Sequence, residues 1–171
     1  MKAFTSWLAL VVLFFGVGCS NENNISYKDG VQKALQQADL KDVTVSEDKD
    51  KNTITLGGKL HSDDAKAKAA EVAKSAAGTR IIANEISVQP VGSESEARDV
   101  ASNLDDAIEK NYKAALISSG LEKQHVDFKA KNGVLTLTGS LHDANQRQPA
   151  EKLAAGIPNI QQVLNQIEVR R

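Results

Sequence analysis

The chain has 171 residues, and its 21 Lys and Arg residues nearly balance its 22 Asp and Glu residues. A balanced charge excludes a dedicated nucleic-acid binder, because such a protein needs a basic face to neutralise phosphates. The length is enough for one average domain or two small ones, and the single cysteine excludes an intrachain disulfide.

The N-terminal segment has the three-part layout of a secretory signal. A positive start is followed by an uncharged apolar run from Trp7 to Val17 and then by a polar stretch after Cys19. The run is shorter than the about 20 apolar residues that a membrane-spanning helix needs. We expect residues 1–18 to be a lipoprotein-type signal peptide, Cys19 to carry the lipid, and residues 19–26 to form a tether. The alternatives are an ordinary secreted protein with an unpaired cysteine, or an uncleaved anchor.

Beyond this tether the sequence repeats itself with an offset of 81 residues and without a gap. The offset relates ITLGGKLH, beginning at Ile54, to LTLTGSLH, beginning at Leu135. The matched positions include two glycines and two asparagines: Gly58 and Gly139, Asn84 and Asn165. Two copies are too few for a solenoid. We therefore expect two tandem domains, at residues 27–89 and 97–171, with a linker and helix start at residues 90–96.

Each copy has the pattern α-β-β-α-β. Apolar residues at helical spacing predict the two helices of each copy. The Asn132-Gly133 pair predicts a hairpin between the first two strands, because both residues tolerate positive φ. The last strand should run parallel to the second strand through a right-handed crossover. The predicted fold class is α+β, with two helices on one face of a three-stranded mixed sheet in each domain.

The central strand of each copy alternates between an inward and an outward face. The inward residues are Ile54, Leu56, Gly58 and Leu60 in the first copy and Leu135, Leu137, Gly139 and Leu141 in the second. An inward glycine leaves room where a helix could cross closely. Asn84 and Asn165 also point inward, and we expect their amides to bind nearby loop backbone because buried amides must be satisfied. A ligand role is the alternative for these two asparagines.

The helix ends carry further signals. Ser62 and Asp143 are suitable N-caps for the second helix of each copy, but Pro149 should make that helix start late, near Gln148, or kink it. Ser93 and Glu96 form a capping-box pattern.

From this pattern the first helix of the second copy should run about 25 residues. Its extra turns have an apolar stripe: Ala97, Val100, Ala101 and Leu104. We expect the stripe to pack on the first copy; contact with a membrane or a partner is the alternative. Asp105, Asp106 and Glu109 on the same helix are expected to be a solvated face.

No constellation of residues predicts catalysis or metal binding. The only histidines are His61, His125 and His142, whereas zinc sites normally need three or four protein ligands. Residues 48–52 match the start of a calcium loop, but Thr53 and Lys59 stand where that loop needs glycine and glutamate. We interpret this segment as a polar hairpin tip and expect no enzyme, no cofactor and no metal site.

The strands TITLGGKLHS and VLTLTGSLHD and the closing segments ANEISV and LNQIEV resemble the BON domain family of bacteria. The resemblance implies a non-enzymatic protein that binds phospholipid surfaces and supports envelope integrity under osmotic stress. Together with Cys19 and the following Ser20, it implies a lipid anchor in the outer membrane, facing the periplasm of a Gram-negative bacterium, with envelope proteins as possible partners. The alternative function is a periplasmic stress-related chaperone or scaffold. The oligomeric state stays open.

Overall fold

The computed structural model describes residues 26–122, 126–141, 145 and 147–169. Cys19, the predicted signal peptide, nearly all of the predicted tether, His125, His142 and Asp143 lie outside these residues. The described part of the chain forms two α+β units that follow each other in sequence, as predicted. We refer to them as domain 1 and domain 2.

Both domains use the same order of elements. Domain 1 contains α1 (Lys28–Gln37), β1 (Val43–Asp48), β2 (Thr53–Leu60), α2 (Asp63–Ala76), β3 (Ile81–Asn84) and β4 (Ser87–Val88). Domain 2 contains α3 (Glu94–Ser118), β5 (Val126–Lys131), β6 (Val134–Leu141), α4 (Arg147–Ala155), β7 (Gln162–Asn165) and β8 (Glu168–Val169). The first two strands of each domain are antiparallel, and the last two both pair with the central strand in parallel. The predicted closing strand is therefore split into two short pieces.

The helices cover one face of each sheet and enclose a small core. The inward residues of the central strands are buried as predicted: Ile54, Leu56 and Leu60 in β2, and Leu135, Leu137 and Leu141 in β6. Alanines on α2 and α4 are buried against them, which lets the helix backbones approach the sheets closely. Domain 2 adds a buried Tyr112 whose ring meets Phe128 edge-on, with ring centroids 5.0 Å apart. Burial raises the pKa of Tyr112 to about 12.

The two copies differ in their first hairpin, so the prediction of a repeat without a gap is wrong. In domain 1, Gly58 pairs with Val43, whereas its counterpart Gly139 pairs with Val126. The structural offset between β1 and β5 is thus 83 residues, not 81. The reason is the turn: four residues, Lys49–Asn52, separate the paired strands in domain 1, but only Asn132-Gly133 separates them in domain 2.

The matched glycines have a different role from the one predicted. Gly58 has a φ of +99° and Gly139 a φ of +111°, a backbone conformation that side chains rarely adopt. A Cβ on Gly58 would lie 2.1 Å from the carbonyl oxygen of Asp42, just before β1. The neighbouring backbone that requires this glycine is therefore that of the adjacent strand and not of a crossing helix.

Helix termini follow the sequence signals in part. The Ser62 hydroxyl accepts a hydrogen bond from the Ala65 N–H at 3.2 Å, as an N-cap should. The predicted capping box at Ser93 is wrong, because Ser93 makes no side-chain capping bond; the Glu94 carboxylate accepts from the Gly92 N–H instead. In domain 2, α4 starts late, as predicted, and Pro149 lies in its first turn, where a missing N–H costs no helical hydrogen bond.

Domain 1 also contains a buried ion pair beneath the start of α1. The Nε of Arg80 lies 3.4 Å from an oxygen of Glu47, and their side chains are 1% and 4% exposed. Glu47 also accepts from the Ser26 hydroxyl at 2.7 Å and the Tyr27 N–H at 3.2 Å. Burial alone would raise the pKa of Glu47, but these hydrogen bonds and Arg80 outweigh it, so the pKa lies below its ordinary value.

Candidate binding surface at the domain junction

The Asn132-Gly133 turn of domain 2 is held by residues from both domains. The Asp105 carboxylate of α3 accepts the N–H groups of Asn132 and Gly133 at 2.7 and 3.0 Å. The Lys66 ammonium of α2 donates to the Asn132 carbonyl at 3.0 Å. The Asn132 side chain in turn donates to the Glu85 carbonyl at 2.9 Å. This short turn therefore joins domain 1 to domain 2.

Two acidic residues of α3 accept hydrogen bonds from the β5–β6 hairpin instead of facing solvent. Besides Asp105, the Glu109 carboxylate accepts the Ala130 N–H at 2.9 Å and lies 3.0 Å from the Lys129 ammonium. The prediction of a solvated acidic face is wrong for these two residues, although Asp106 is exposed as predicted. Their helical spacing of four residues aims both carboxylates at the same hairpin.

Lys66 is a buried cation at this junction. Besides the Asn132 carbonyl, its ammonium group donates to the Gln161 side-chain oxygen at 3.1 Å. Burial lowers the pKa of Lys66, and the charges of Asp63 and Asp105 partly offset that effect. A buried charge needs hydrogen-bonding partners, and both of these partners of the Lys66 ammonium group belong to domain 2. Lys66 therefore stabilises the contact between the domains.

The closing strands of the two domains also meet. The Gln162 side chain accepts the Asn84 N–H at 3.3 Å and donates to the Ile82 carbonyl at 2.7 Å. These are the bonds that the next strand of a sheet would make, so Gln162 covers the edge of β3. The corresponding residue of domain 1 is Ile81, whose side chain has no amide group and cannot form these two hydrogen bonds. A small buried apolar cluster lies beside this contact: Ala83, Val134 and Leu164.

Further polar side chains join the two domains. The Gln166 side chain donates to the Thr53 hydroxyl at 3.3 Å, which explains why Thr53 is buried although its strand position faces outward. Lys51 forms an ion pair with Glu168, and Lys131 forms one with Glu85. Each hairpin thus contacts the other domain's closing strand, an approximately twofold arrangement that follows the sequence repeat.

The two predicted signature asparagines form hydrogen bonds within their own domains. The Asn165 side-chain oxygen accepts the Ile167 N–H at 3.2 Å, which is a loop backbone contact of the kind expected. The side-chain NH2 groups of both residues donate to the second helix of their domain: Asn84 to the Lys66 carbonyl of α2 at 3.0 Å, and Asn165 to the Glu151 carboxylate of α4 at 2.9 Å. Among the described residues, the side-chain oxygen of Asn84 has no hydrogen-bond partner.

His61 and the calcium-loop positions show ordinary structural contacts. The Nδ1 of His61 lies 2.8 Å from the Gln89 carbonyl oxygen at the exposed end of its strand. The Lys51 N–H donates to Asp48, which caps the turn of the first hairpin. No group of three or more potential metal ligands occurs in the described parts of the chain.

The long helix α3 exposes two surfaces of opposite charge. Its first part, residues 94–109, contains six acidic residues and one arginine; we call it the acidic half. Residues 110–118 contain two lysines and no acidic residue; we call them the basic half. Within residues 26–122, no helix is both long and apolar enough to cross a bilayer.

The apolar stripe of the acidic half packs on domain 1 only in part. Its alanines, Ala97 and Ala101, are half-buried, and the helix contacts β4 of domain 1. The two larger residues are exposed, Val100 by 58% and Leu104 by 42%. The prediction that the whole stripe packs on the first copy is therefore wrong for Val100 and Leu104. Ile117 in the basic half is 55% exposed.

One protein-family model matches most of the chain. The model of the BON domain matches residues 28–90 and residues 104–171. The chain belongs to the BON domain family. The second BON match begins inside α3, so most of the acidic half that contacts domain 1 precedes it. Among the described residues of domain 1, α1 begins at Lys28 and has no such addition. The apolar spacing of residues 97–104 was the sequence signal for the extra turns of α3.

The chain is also similar to individual BON-type and secretion proteins. It is 25% identical over 142 residues to the osmotically-inducible protein Y of Escherichia coli (strain K12), covering 82% of this BON chain and 69% of that protein. A solved C-terminal domain of CdsD, the structural protein of the type III secretion system of Chlamydia trachomatis, is 16% identical with a TM-score of 0.35. The match covers 81% of this chain but 62%, less than two thirds, of the CdsD chain.

Proposed function

We propose that this protein is a non-enzymatic envelope protein whose tandem BON domains bind a phospholipid surface and support the outer membrane under osmotic stress. The family assignment and the similarity to an osmotically-inducible protein support a stress-related role. Two domains joined by hydrogen bonds, without a catalytic motif in the sequence, fit a protein that acts by attachment.

The basic half of α3 is the observation that carries the lipid-binding proposal. Lys110, Lys113 and the exposed Ile117 have the spacing i, i+3 and i+7, so they lie on one face of the helix. No acidic residue occurs from Lys110 to Leu121. A lysine near an anionic membrane surface contributes about 1 kcal/mol, and an isoleucine can enter the headgroup region. This face therefore fits anionic phospholipid.

Two lysines and one isoleucine bind a membrane weakly, so a second attachment is needed. We propose that residues 1–18 are a signal peptide, that Cys19 carries the lipid, and that residues 19–26 tether the BON domains at residues 27–89 and 97–171. Ser20 after the cysteine fits the outer membrane and not the inner membrane. Cys19→Ala should release the protein from the membrane fraction of cells; unchanged membrane association would contradict the anchor.

Vesicle co-sedimentation tests the lipid surface. The purified protein should sediment with vesicles that contain phosphatidylglycerol but not with pure phosphatidylcholine vesicles. Replacing both lysines by glutamate (K110E/K113E) should abolish sedimentation, whereas Val100→Ser, on the acidic half, should leave it unchanged. If the wild type ignores anionic vesicles and instead suppresses aggregation of an unfolded client protein, the chaperone or scaffold alternative replaces this proposal.

A further inference from the structure

The acidic half of α3 leaves an apolar surface without a partner in the described parts of the chain. Val100 and Leu104 are four residues apart, so they lie together on one face of the helix. Both are exposed, whereas their neighbours Ala97 and Ala101 are half-buried. Adjoining exposed apolar side chains offer a surface on which another molecule can pack.

The charges around this surface select the kind of molecule. Glu96 precedes Val100 by four residues and shares its face. Asp99 and Asp106, seven residues apart, lie about 100–120° round the helix from Val100, and Asp99 also lies 3.9 Å from the Nε of Arg98. All three carboxylates are exposed. An anionic phospholipid would be repelled here, whereas a positively charged partner would be attracted. The acidic half therefore differs from the basic half in the ligand it fits.

A cavity extends the same surface towards domain 1. It has a volume of about 120 Å³ and is lined by α3, α2, β4 and the Asn132-Gly133 turn, with Leu104 among its lining residues. Its apolar lining includes Ile86, Val88 and Ile108, and Asp63 contributes a carboxylate. Lys66 also lines the cavity, but its ammonium group is already bound to domain 2. The junction thus offers a recess with both apolar and polar lining beside the exposed carboxylates of the acidic half, which suits an inserted amphipathic side chain from a partner.

We propose that the acidic half of α3, with this cavity, is a docking site for a cationic amphipathic segment of a protein partner. Apolar side chains of the segment would lie on Val100 and Leu104, and its lysines or arginines would face Glu96, Asp99 and Asp106. The site goes beyond the proposed lipid surface and does not depend on it, because the two use different halves of α3.

Synthetic peptides test the site directly. One is a short amphipathic Lys/Leu peptide, and its control is a Glu/Leu peptide with the same apolar pattern. Binding to the purified protein is measured by fluorescence anisotropy at low and high salt. The double variant V100S/L104S should weaken binding of the Lys/Leu peptide at least about tenfold, which corresponds to about 1.4 kcal/mol. Ile117→Ser is the matched control, because it removes a similarly exposed apolar side chain from the basic half.

Each outcome decides the proposal. Support requires binding of the Lys/Leu peptide, loss with V100S/L104S, no change with Ile117→Ser, and a reduced salt dependence with D99N/D106N. Circular dichroism and thermal unfolding confirm that the variants stay folded. Absent peptide binding, equal binding of the Glu/Leu peptide, or an unaffected V100S/L104S variant would each overturn the site. Loss of anionic vesicle binding by V100S/L104S would show that this face meets a membrane, which also overturns it.

Discussion

The buried ion pair between Glu47 and Arg80 makes a sharp prediction because domain 2 provides a natural replacement for it. The position that corresponds to Glu47 in the strand register is Ala130, opposite Leu135 as Glu47 is opposite Ile54. Gln161 corresponds to Arg80, since both residues directly precede the closing strand. Domain 2 thus forms the same fold without the two charges.

The expected cost of breaking the pair follows from its burial. Glu47→Ala leaves the guanidinium of Arg80, 1% exposed, without the carboxylate that lies 3.4 Å away. Removing one partner of such a pair destabilises a protein by about 3–5 kcal/mol, because the other charge stays buried. The double variant E47A/R80Q reproduces the domain 2 residues and removes both charges. It should therefore be more stable than the sum of the two single variants predicts, by about 1–3 kcal/mol.

Urea unfolding at neutral pH measures these free energies for the four proteins of the cycle. If E47A/R80Q loses as much stability as the two single variants together, the charges are not coupled and the reasoning fails. Acid provides an independent check. Because the pKa of Glu47 is lowered in the folded state, its contribution is complete above the ordinary glutamate pKa of about 4.3. It is lost as the pH falls through the lower folded value, and E47A should lack this component.

Three further predictions concern backbone geometry and the junction. Gly58→Ala should destabilise domain 1 by at least about 2 kcal/mol in urea unfolding, because of its positive φ and the contact with Asp42; wild-type stability would refute this role. Lys66→Met removes two hydrogen bonds across the junction, so it should cost about 1–3 kcal/mol and separate the unfolding transitions of the domains; one unchanged transition would count against it. Gln162→Leu should speed hydrogen exchange of the backbone N–H of Asn84, because Gln162 accepts its hydrogen bond. Unaltered exchange would show that Gln162 does not cover the edge of β3.

The sequence predicted the elements of each domain because their signals are local. Alternation in β2 and β6, helical spacing, and the Asn132-Gly133 turn depend on residues close in the chain. The length of α3 and the late start of α4 at Pro149 were readable for the same reason. These features established the α+β fold and the tandem arrangement before any contact was known.

The junction could not be predicted, because its contacts join residues far apart in the chain. Nothing near Lys66 indicates that its ammonium group binds a turn in the other copy. The acidic residues Asp105 and Glu109 have the composition of a solvated face, and only the position of the hairpin shows that they accept its N–H groups. The gap between β1 and β5 was hidden for a related reason: Val45 and Val126 match by chance at the wrong offset.

The hairpin turns of the two domains cannot replace each other. The two-residue turn Asn132-Gly133 fits between α2 and α3, whereas the Lys49–Asn52 loop is twice as long and has no such place. A chain built from two copies of domain 1 would present that longer loop to Lys66. It would lose the hydrogen bonds by which Lys66 and Asp105 hold the Asn132-Gly133 turn. The contacts between the two copies therefore constrain which substitutions each copy can accept.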